Sequence, residues 1–381
     1  MVDNFKIYNH INFIVMDKLI TVTRSSMPSF GEYIDEIKAL WDNRWLSNRG
    51  ELHRKFEKML QERMGVDNIS LFANGHVALE VAIDAFNFPK GSEVITTPYT
   101  HCSTTHSIVR NGLVPVFCDI NAKDYTIDVD QIEKYITSKT VAIMATHVYG
   151  VLCDVDAIDA IAKKHNLKVL YDAAHAFGVK KNGVDAAAFG DMSMISCHAT
   201  KVFHTVEGGI TVIKDDEVYK NVDILTNFGF TSQEDVGFVS TNARMNEYEA
   251  AMGICNLRHF DEEVAKRKAV SEKYEELLSG VKGISMIAPQ EGITRNYAYF
   301  PVFFDGYKYD RNEIQQKLKE NLILARKYFY PIIPELSCYK EQYGSLDLPV
   351  ARHAAETVLA LPMYADLTIE DVERICNILL N

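Results

Sequence analysis

From Asn68 to about Ile213 the chain alternates short, nearly continuous apolar runs with amphipathic stretches. The runs are ISLFA, EVITTP, PVFCDI, VAIMATHVYG, KVLYDAA, SMISC and GITVI, with helical segments such as DVDQIEKYI and DVDAIDAIAKKH between them. Strands that are apolar on both faces belong to a mainly parallel sheet covered by helices on each side. Ahead of this region, Ser29, Phe30, Gly31 and Glu32 read as a capping box that opens a helix through YIDEIKALW. In ELHRKFEKMLQERMG, Leu52, Phe56, Met59, Leu60 and Met64 share one helical face before Gly65 ends it.

Beyond the sheet region, a long helix from Asn246 to about Ser279 leads out of the first domain. YAYFPVFFD then reads as a strand, NEIQQKLKEN as a helix, YFYP as a further strand and DLTIEDVERICNILL as the last helix. Together they predict a smaller α+β unit. The expected division is an N-terminal extension over residues 1–18, a large domain over 19–255 and a small C-terminal domain over 256–381. In the extension, charges flank the patch INFIVM, which is too short for a signal peptide.

Composition narrows the function. At 381 residues, two unequal domains are expected. Forty basic against 52 acidic residues give a net charge of −12, which argues against a nucleic-acid binder or a protein held on anionic lipid. A small anionic ligand held by a few local cations stays compatible with that surface. Seven cysteines stand singly without a CxxC pair, so reduced thiols in the cytoplasm are expected, and neither an iron–sulfur nor a structural zinc site. The twelve histidines show no HxxxH spacing, and no metal is expected. No apolar run approaches a membrane span.

Ligands of parallel sheets sit beyond the carboxyl ends of the strands. Three strand ends carry unusual polar groups. Asp172 directly follows an apolar run in KVLYDAAHAFG, where an unpaired carboxylate is costly and calls for a cationic partner. In MSMISCHATKVFHTVEGG, Ser196, His198, Thr200 and Lys201 come straight off a strand, and Gly208 and Gly209 open the next. In SLFANGHVALEVAIDA, Asn74 and Gly75 join a strand to a helix whose first amides are open to an anion. Singly these features read as a helix cap, a surface lysine and a turn. Jointly they suit pyridoxal 5'-phosphate: the acid for the pyridine nitrogen, the lysine for the aldehyde and the helix start for the phosphate.

The sequence resembles the nucleotide-sugar aminotransferases of the DegT type, a branch of the aspartate-aminotransferase fold (fold type I). The likeness runs from about Leu19 to the C-terminus through DNRWLSNRGELHRKFE, YDAAHAFG, SCHATKVFHTVEGG, NFGF, TNARMNE and RKYFYP. It implies that Lys201 holds the cofactor and shuttles a proton, that Asp172 pairs with the pyridine nitrogen, and that His175 contacts the phenolic oxygen. Ser196 and the backbone at Gly75 and His76 would bind the phosphate, and His101 would stack on the ring. Asn242 would reach into the neighbouring subunit's phosphate site, which implies a homodimer with shared active sites. Trp45, Ser47 and Asn48 resemble a substrate-lid segment; Arg326, Lys327 and Tyr328 fall where a sugar nucleotide would be met. Arg326 and Lys327 would contact its pyrophosphate, with a solvated pair ahead of the YFYP strand as the alternative.

Four positions depart from the family pattern. His76 stands for a usual Thr or Ser, His101 for an aromatic, His204 for a common Asn and Tyr297 for a usual His. The implied chemistry is ping-pong: glutamate leaves its amine on the cofactor, and the pyridoxamine 5'-phosphate form aminates a nucleotide-linked keto-sugar. The motifs are most similar to those of members that make dTDP-4-amino-4,6-dideoxyglucose from dTDP-4-dehydro-6-deoxyglucose. Amination at C-3, or of a GDP- or UDP-linked sugar, is the nearest rival. A sugar dehydratase would replace Lys201 or add clustered cysteines, and a regulator without activity would lack that lysine or add a DNA-binding segment.

Overall fold

A computed structural model describes residues 19–381; the expected extension over 1–18 lies outside the described residues. The seven apolar runs become the strands of one sheet: β1 (Ile69–Phe72), β2 (Glu93–Thr96), β3 (Val114–Phe117), β4 (Thr140–Thr146), β5 (Lys168–Asp172), β6 (Met192–Ser196) and β7 (Gly209–Ile213). Their order is β1-β7-β6-β5-β4-β2-β3, and β7 alone runs against its neighbours. The mainly parallel α/β architecture expected from the apolar pattern is what the chain forms.

Helices cover the sheet. They are α1 (Phe30–Ile37), α2 (Glu51–Met64), α3 (Gly75–Ala85), α4 (Cys102–Arg110), α5 (Val155–His165), α6 (Asp216–Thr226) and α7 (Glu247–Leu278). Leu52, Phe56, Leu60 and Met64 of α2 are buried, and Gly65 closes the helix at φ +68°. Only half of the capping box at Ser29 forms: its hydroxyl accepts from the Glu32 N–H at 3.2 Å. The Glu32 carboxylate instead meets Arg258 at 3.0 Å and His259 at 2.7 Å on α7. A guanidinium and an imidazole together offer a carboxylate more than one exposed amide does. The first helix also stops early, at Ile37, with a separate turn over Leu40–Asn43.

The long helix α7 carries a complete capping box, Asn246 with Glu249, and stops before Ser279. Its first half packs Ala250, Ala251, Ile254, Leu257 and Phe260 into the core of the large domain. Its last part sends Val270, Tyr274 and Leu278 into a second core. That core belongs to a three-stranded antiparallel sheet of β8 (Ile284–Met286), β9 (Phe300–Phe304) and β10 (Val358–Leu361). Of the helices that follow, α8 (Arg311–Glu320), α9 (Pro349–Thr357) and α10 (Ile369–Leu380), the first and last complete that core, while α9 packs Ala351, Ala354 and Ala355 into the first. A division at 255/256 therefore falls inside α7, whose packing changes hands between Phe260 and Val270. Ile20 also lies in the second core, its backbone paired with Leu322 and Leu324.

The strand expected at YFYP does not form. Arg326 makes a single bridge to Ala360 of β10, and the chain then leaves the sheet. Pro331 has no N–H to continue a ladder, and the Tyr328 carbonyl is taken by tyrosine hydroxyls of the large domain. Among the described residues no helix is long and apolar enough to cross a membrane.

Candidate active site

The carboxyl ends of β4, β5 and β6 and the start of α3 open into a cavity of about 540 Å³, roofed by Tyr299, Arg326, Tyr328 and Phe329. Asp172, the last residue of β5, forms part of its floor and is 3% exposed. Its Oδ1 accepts from the Ala174 N–H at 3.1 Å, and its Oδ2 from the Thr104 hydroxyl at 2.6 Å. Thr104 in turn lies 2.9 Å from the Thr100 hydroxyl, which accepts from Thr146 at 3.2 Å. Each hydroxyl has one proton to give, so the run Thr146–Thr100–Thr104 ends by donating to Asp172. The buried carboxyl group is thereby fixed in direction by two donors.

Lys201 enters from the loop after β6, its Nζ 3.4 Å from the Tyr299 hydroxyl. Burial lowers its pKa, an effect the Asp172 carboxylate and Tyr328 partly oppose. The result is an amine more easily neutral than a surface lysine, held where a base is useful. His175 follows β5 and accepts the Tyr149 backbone N–H on Nδ1 at 3.0 Å. Burial, then the nearby Lys201 and His101, hold its pKa well below the ordinary value. A neutral ring that accepts on Nδ1 carries its proton on Nε2.

Opposite these groups, α3 begins at Gly75, with the Asn74 side chain accepting from the Val77 N–H at 2.9 Å. The amides of Gly75 and His76 precede the first intrahelical bond and are left for an anion. A Cβ at Gly75 would sit 3.2 Å from both the Met194 sulfur and Ser196 Cβ, so any larger residue would press the helix start away from the end of β6 by a few tenths of an ångström. Ser196 stands at that end, and its Oγ accepts from the His198 N–H at 3.4 Å.

The cavity thus brings together Asp172, His175, Ser196, Lys201, Gly75, His76, His101, Arg326 and Tyr328. His101 uses Nδ1 to cap α4, accepting from the Ser103 N–H at 3.2 Å, and burial lowers its pKa. His76 places Nε2 3.0 Å from Glu80 of its own helix. Other candidates lie elsewhere in this chain. Lys327 turns from the cavity to Asn312 and to the Tyr330 ring. Asn242 bridges to Asn227 and accepts from Arg244 at 3.0 Å. Trp45, Ser47 and Asn48 are exposed; Arg54 covers the Trp45 ring, and Asn48 lines a separate cavity with Arg49, Asn227 and Arg244. Of the four departures, His204 hydrogen-bonds the Ser26 carbonyl away from the cavity, and Tyr297 stacks under Arg295.

The sequence reading missed the Thr146–Thr100–Thr104 relay and the aromatic roof of Tyr299 and Phe329. One signal was present: Thr104 lies three residues after His101, one helical turn into α4, on the same face.

The chain as a whole is similar to known proteins. The profile of the DegT/DnrJ/EryC1/StrS aminotransferase family matches residues 30–380. A dTDP-4-amino-4,6-dideoxy-D-glucose transaminase of Shigella dysenteriae is 42% identical over 363 residues, 95% of this chain and 98% of that protein. An Escherichia coli protein of the same name is 40% identical, with 96% and 99% covered. Among solved structures, DesI in the presence of its TDP-sugar product superposes with a TM-score of 0.90 at 30% identity, covering 95% of this chain and 92% of that one. The chain belongs to the DegT/DnrJ/EryC1/StrS aminotransferase family.

Proposed function

We propose that the protein transfers the amino group of glutamate to C-4 of dTDP-4-dehydro-6-deoxyglucose, giving dTDP-4-amino-4,6-dideoxyglucose, with pyridoxal 5'-phosphate in the cavity at Lys201. The observation that carries this reading is one cavity holding a desolvated lysine, an oriented carboxylate and an open helix start. The near full-length similarity to transaminases of that name supports the choice of sugar.

The residues fit the cofactor. Gly75, His76 and Ser196 make a cradle that a side chain at position 75 would fill, and it suits a phosphate. His175 offers a neutral Nε2–H to an oxygen of the ring. When bound, pyridoxal phosphate supplies the electron sink that lets a proton leave the carbon beside the amine. Lys201 Nζ takes that proton and returns it, a task its lowered pKa suits. Asp172, aimed by Thr104, keeps a proton on the pyridine nitrogen. Arg326 sets a cation at the cavity wall for the pyrophosphate of the acceptor.

The active enzyme in this reading is a homodimer with shared sites. Exposed apolar side chains gather in two segments: Met27, Phe30, Trp41, Trp45 and Leu46 in one, Phe228, Phe230, Val236, Phe238 and Val239 in the other. Asn242 lies beside the second, outside its own cavity, as a residue serving a neighbouring site would. The seven free cysteines support a reducing, cytoplasmic setting.

The test is to incubate the protein with the cofactor, glutamate and dTDP-4-dehydro-6-deoxyglucose and to locate the new amine by NMR. Nitrogen on C-4 is expected. A cofactor bleached by glutamate without product would reject this acceptor and turn the assay to 3-keto, GDP- and UDP-linked sugars. No bleaching at all would overturn the assignment. For the shared site, Asn242→Ala is expected to weaken cofactor binding by about tenfold or more, the loss of a hydrogen bond to a charged group. An unchanged dissociation constant, read by cofactor absorbance after dilution, would reject the cross-subunit contact.

A further inference from the structure

We propose that Tyr149 is a positioning residue that couples the two walls of the cavity, its backbone N–H orienting His175 and its hydroxyl holding small-domain residues 326–329. The proposal rests on the reading of the cavity as a nucleotide-sugar site only for what residues 326–329 bind.

Tyr149 lies just beyond β4 and is 4% exposed. Its backbone is left-handed, φ 59°, which few residues without a glycine's freedom adopt. The next residue, Gly150, is also left-handed, and a Cβ there would come within 2.9 Å of the His175 carbonyl. The turn is therefore pressed against the His175 segment. What the unusual backbone achieves is visible at both ends of Tyr149. Its N–H reaches His175 Nδ1 at 3.0 Å. Its hydroxyl meets the Tyr328 carbonyl.

Tyr99, fully buried, completes the arrangement. Its hydroxyl lies 2.5 Å from that of Tyr149 and 3.3 Å from the same carbonyl. Two hydroxyls have two protons, so the closer one, Tyr149, donates to the carbonyl and accepts from Tyr99. Burial raises the pKa of both, which keeps them donors. The carbonyl they hold stands between residues that line the cavity: Arg326 and Tyr328 on one side, Phe329 on the other. Phe329 lies parallel to both rings, 6.2 Å from Tyr149 and 6.1 Å from His175. Because the chain has left β10 at Arg326, no ladder holds this segment; the hydroxyl pair takes that place.

Simple core filling would need only the ring, so Tyr149→Phe separates the two roles. In the holoenzyme, the variant is expected to raise KM for the nucleotide sugar and Kd for the product sugar nucleotide by about tenfold, one buried hydrogen bond. The glutamate half-reaction, followed by cofactor absorbance, is expected to stay within about twofold, since the backbone bond to His175 survives the change. Hydrogen exchange in peptides covering 326–333 is expected to quicken. Tyr99→Phe, which leaves the Tyr149 bond in place, is expected to give the same pattern more weakly, and it carries the test if Tyr149→Phe does not fold. Unchanged exchange together with unchanged KM would overturn the proposal. A wild-type protein indifferent to the nucleotide sugar would sink the substrate reading instead, while the exchange result still decides the positioning claim.

Discussion

Replacing Lys201 with alanine is expected to abolish transamination, lowering the rate by at least about 10³-fold, the scale of a lost acid–base group before any covalent role is counted. The cavity gives no substitute. Among the described residues that line it, Lys201 is the one lysine. The histidines there do not suit the task either. His175 has Nδ1 occupied by the Tyr149 N–H, His101 by the cap of α4 and His198 by the Thr200 N–H, while His76 places Nε2 against Glu80. The fold has no cause to suffer, because the change removes a desolvated amine whose only hydrogen bond among the described residues, to Tyr299, is long at 3.4 Å. Borohydride treatment checks the same point without turnover: wild-type protein should fix the cofactor covalently and the variant should not. Retained turnover in Lys201→Ala would sink the assignment.

That lysine could be found in the sequence because it belongs to a pattern the sheet enforces. Each strand of the central sheet is a short apolar run, and a parallel sheet puts its chemistry just past the ends of such runs. Asp172, Ser196 and Lys201 stand there. The start of α7 was legible for a similar reason, since Asn246 and Glu249 form a local capping box. What escaped depended on partners far away in sequence. The box at Ser29 has the same spelling, but Arg258 and His259, more than 200 residues on, claim its glutamate. YFYP has the composition of a strand, yet the Tyr328 carbonyl is bound by Tyr149 of the other domain, itself backed by Tyr99. Lys327 is next to Arg326 in the chain but faces Asn312, because neighbours on an extended segment point to opposite sides. The division between domains was blurred because α7 runs unbroken through two cores.

Asp172→Asn is the sharper test of the mechanism, since it changes charge and little else. The native carboxylate accepts twice, from the Ala174 N–H and from the Thr104 hydroxyl. An asparagine can keep its oxygen toward Ala174 and turn its NH₂ toward Thr104. The hydroxyl relay then reverses: Thr104 accepts from the amide and donates to Thr100, which donates to Thr146. The reversal costs one acceptor, that of the Thr146 hydroxyl, which lines the cavity, so the melting temperature is expected to fall by no more than a few degrees. Activity is expected to fall by about 10²-fold or more, because a neutral amide does not hold a proton on the pyridine nitrogen. The variant carries a second mark. The Asp172 carboxylate is the first of the groups opposing the burial that lowers the Lys201 pKa, so without it that pKa moves further down. Any limb of the rate profile governed by neutral Lys201 should therefore shift to lower pH, while the plateau drops. Thr104→Val, which keeps the charge and loses only the aim, should lower the plateau less and leave that limb near its wild-type position. A near-normal plateau in Asp172→Asn would mean that the carboxylate is structural; a lowered plateau with an unmoved limb would leave its hold on the ring and remove its hold on the lysine.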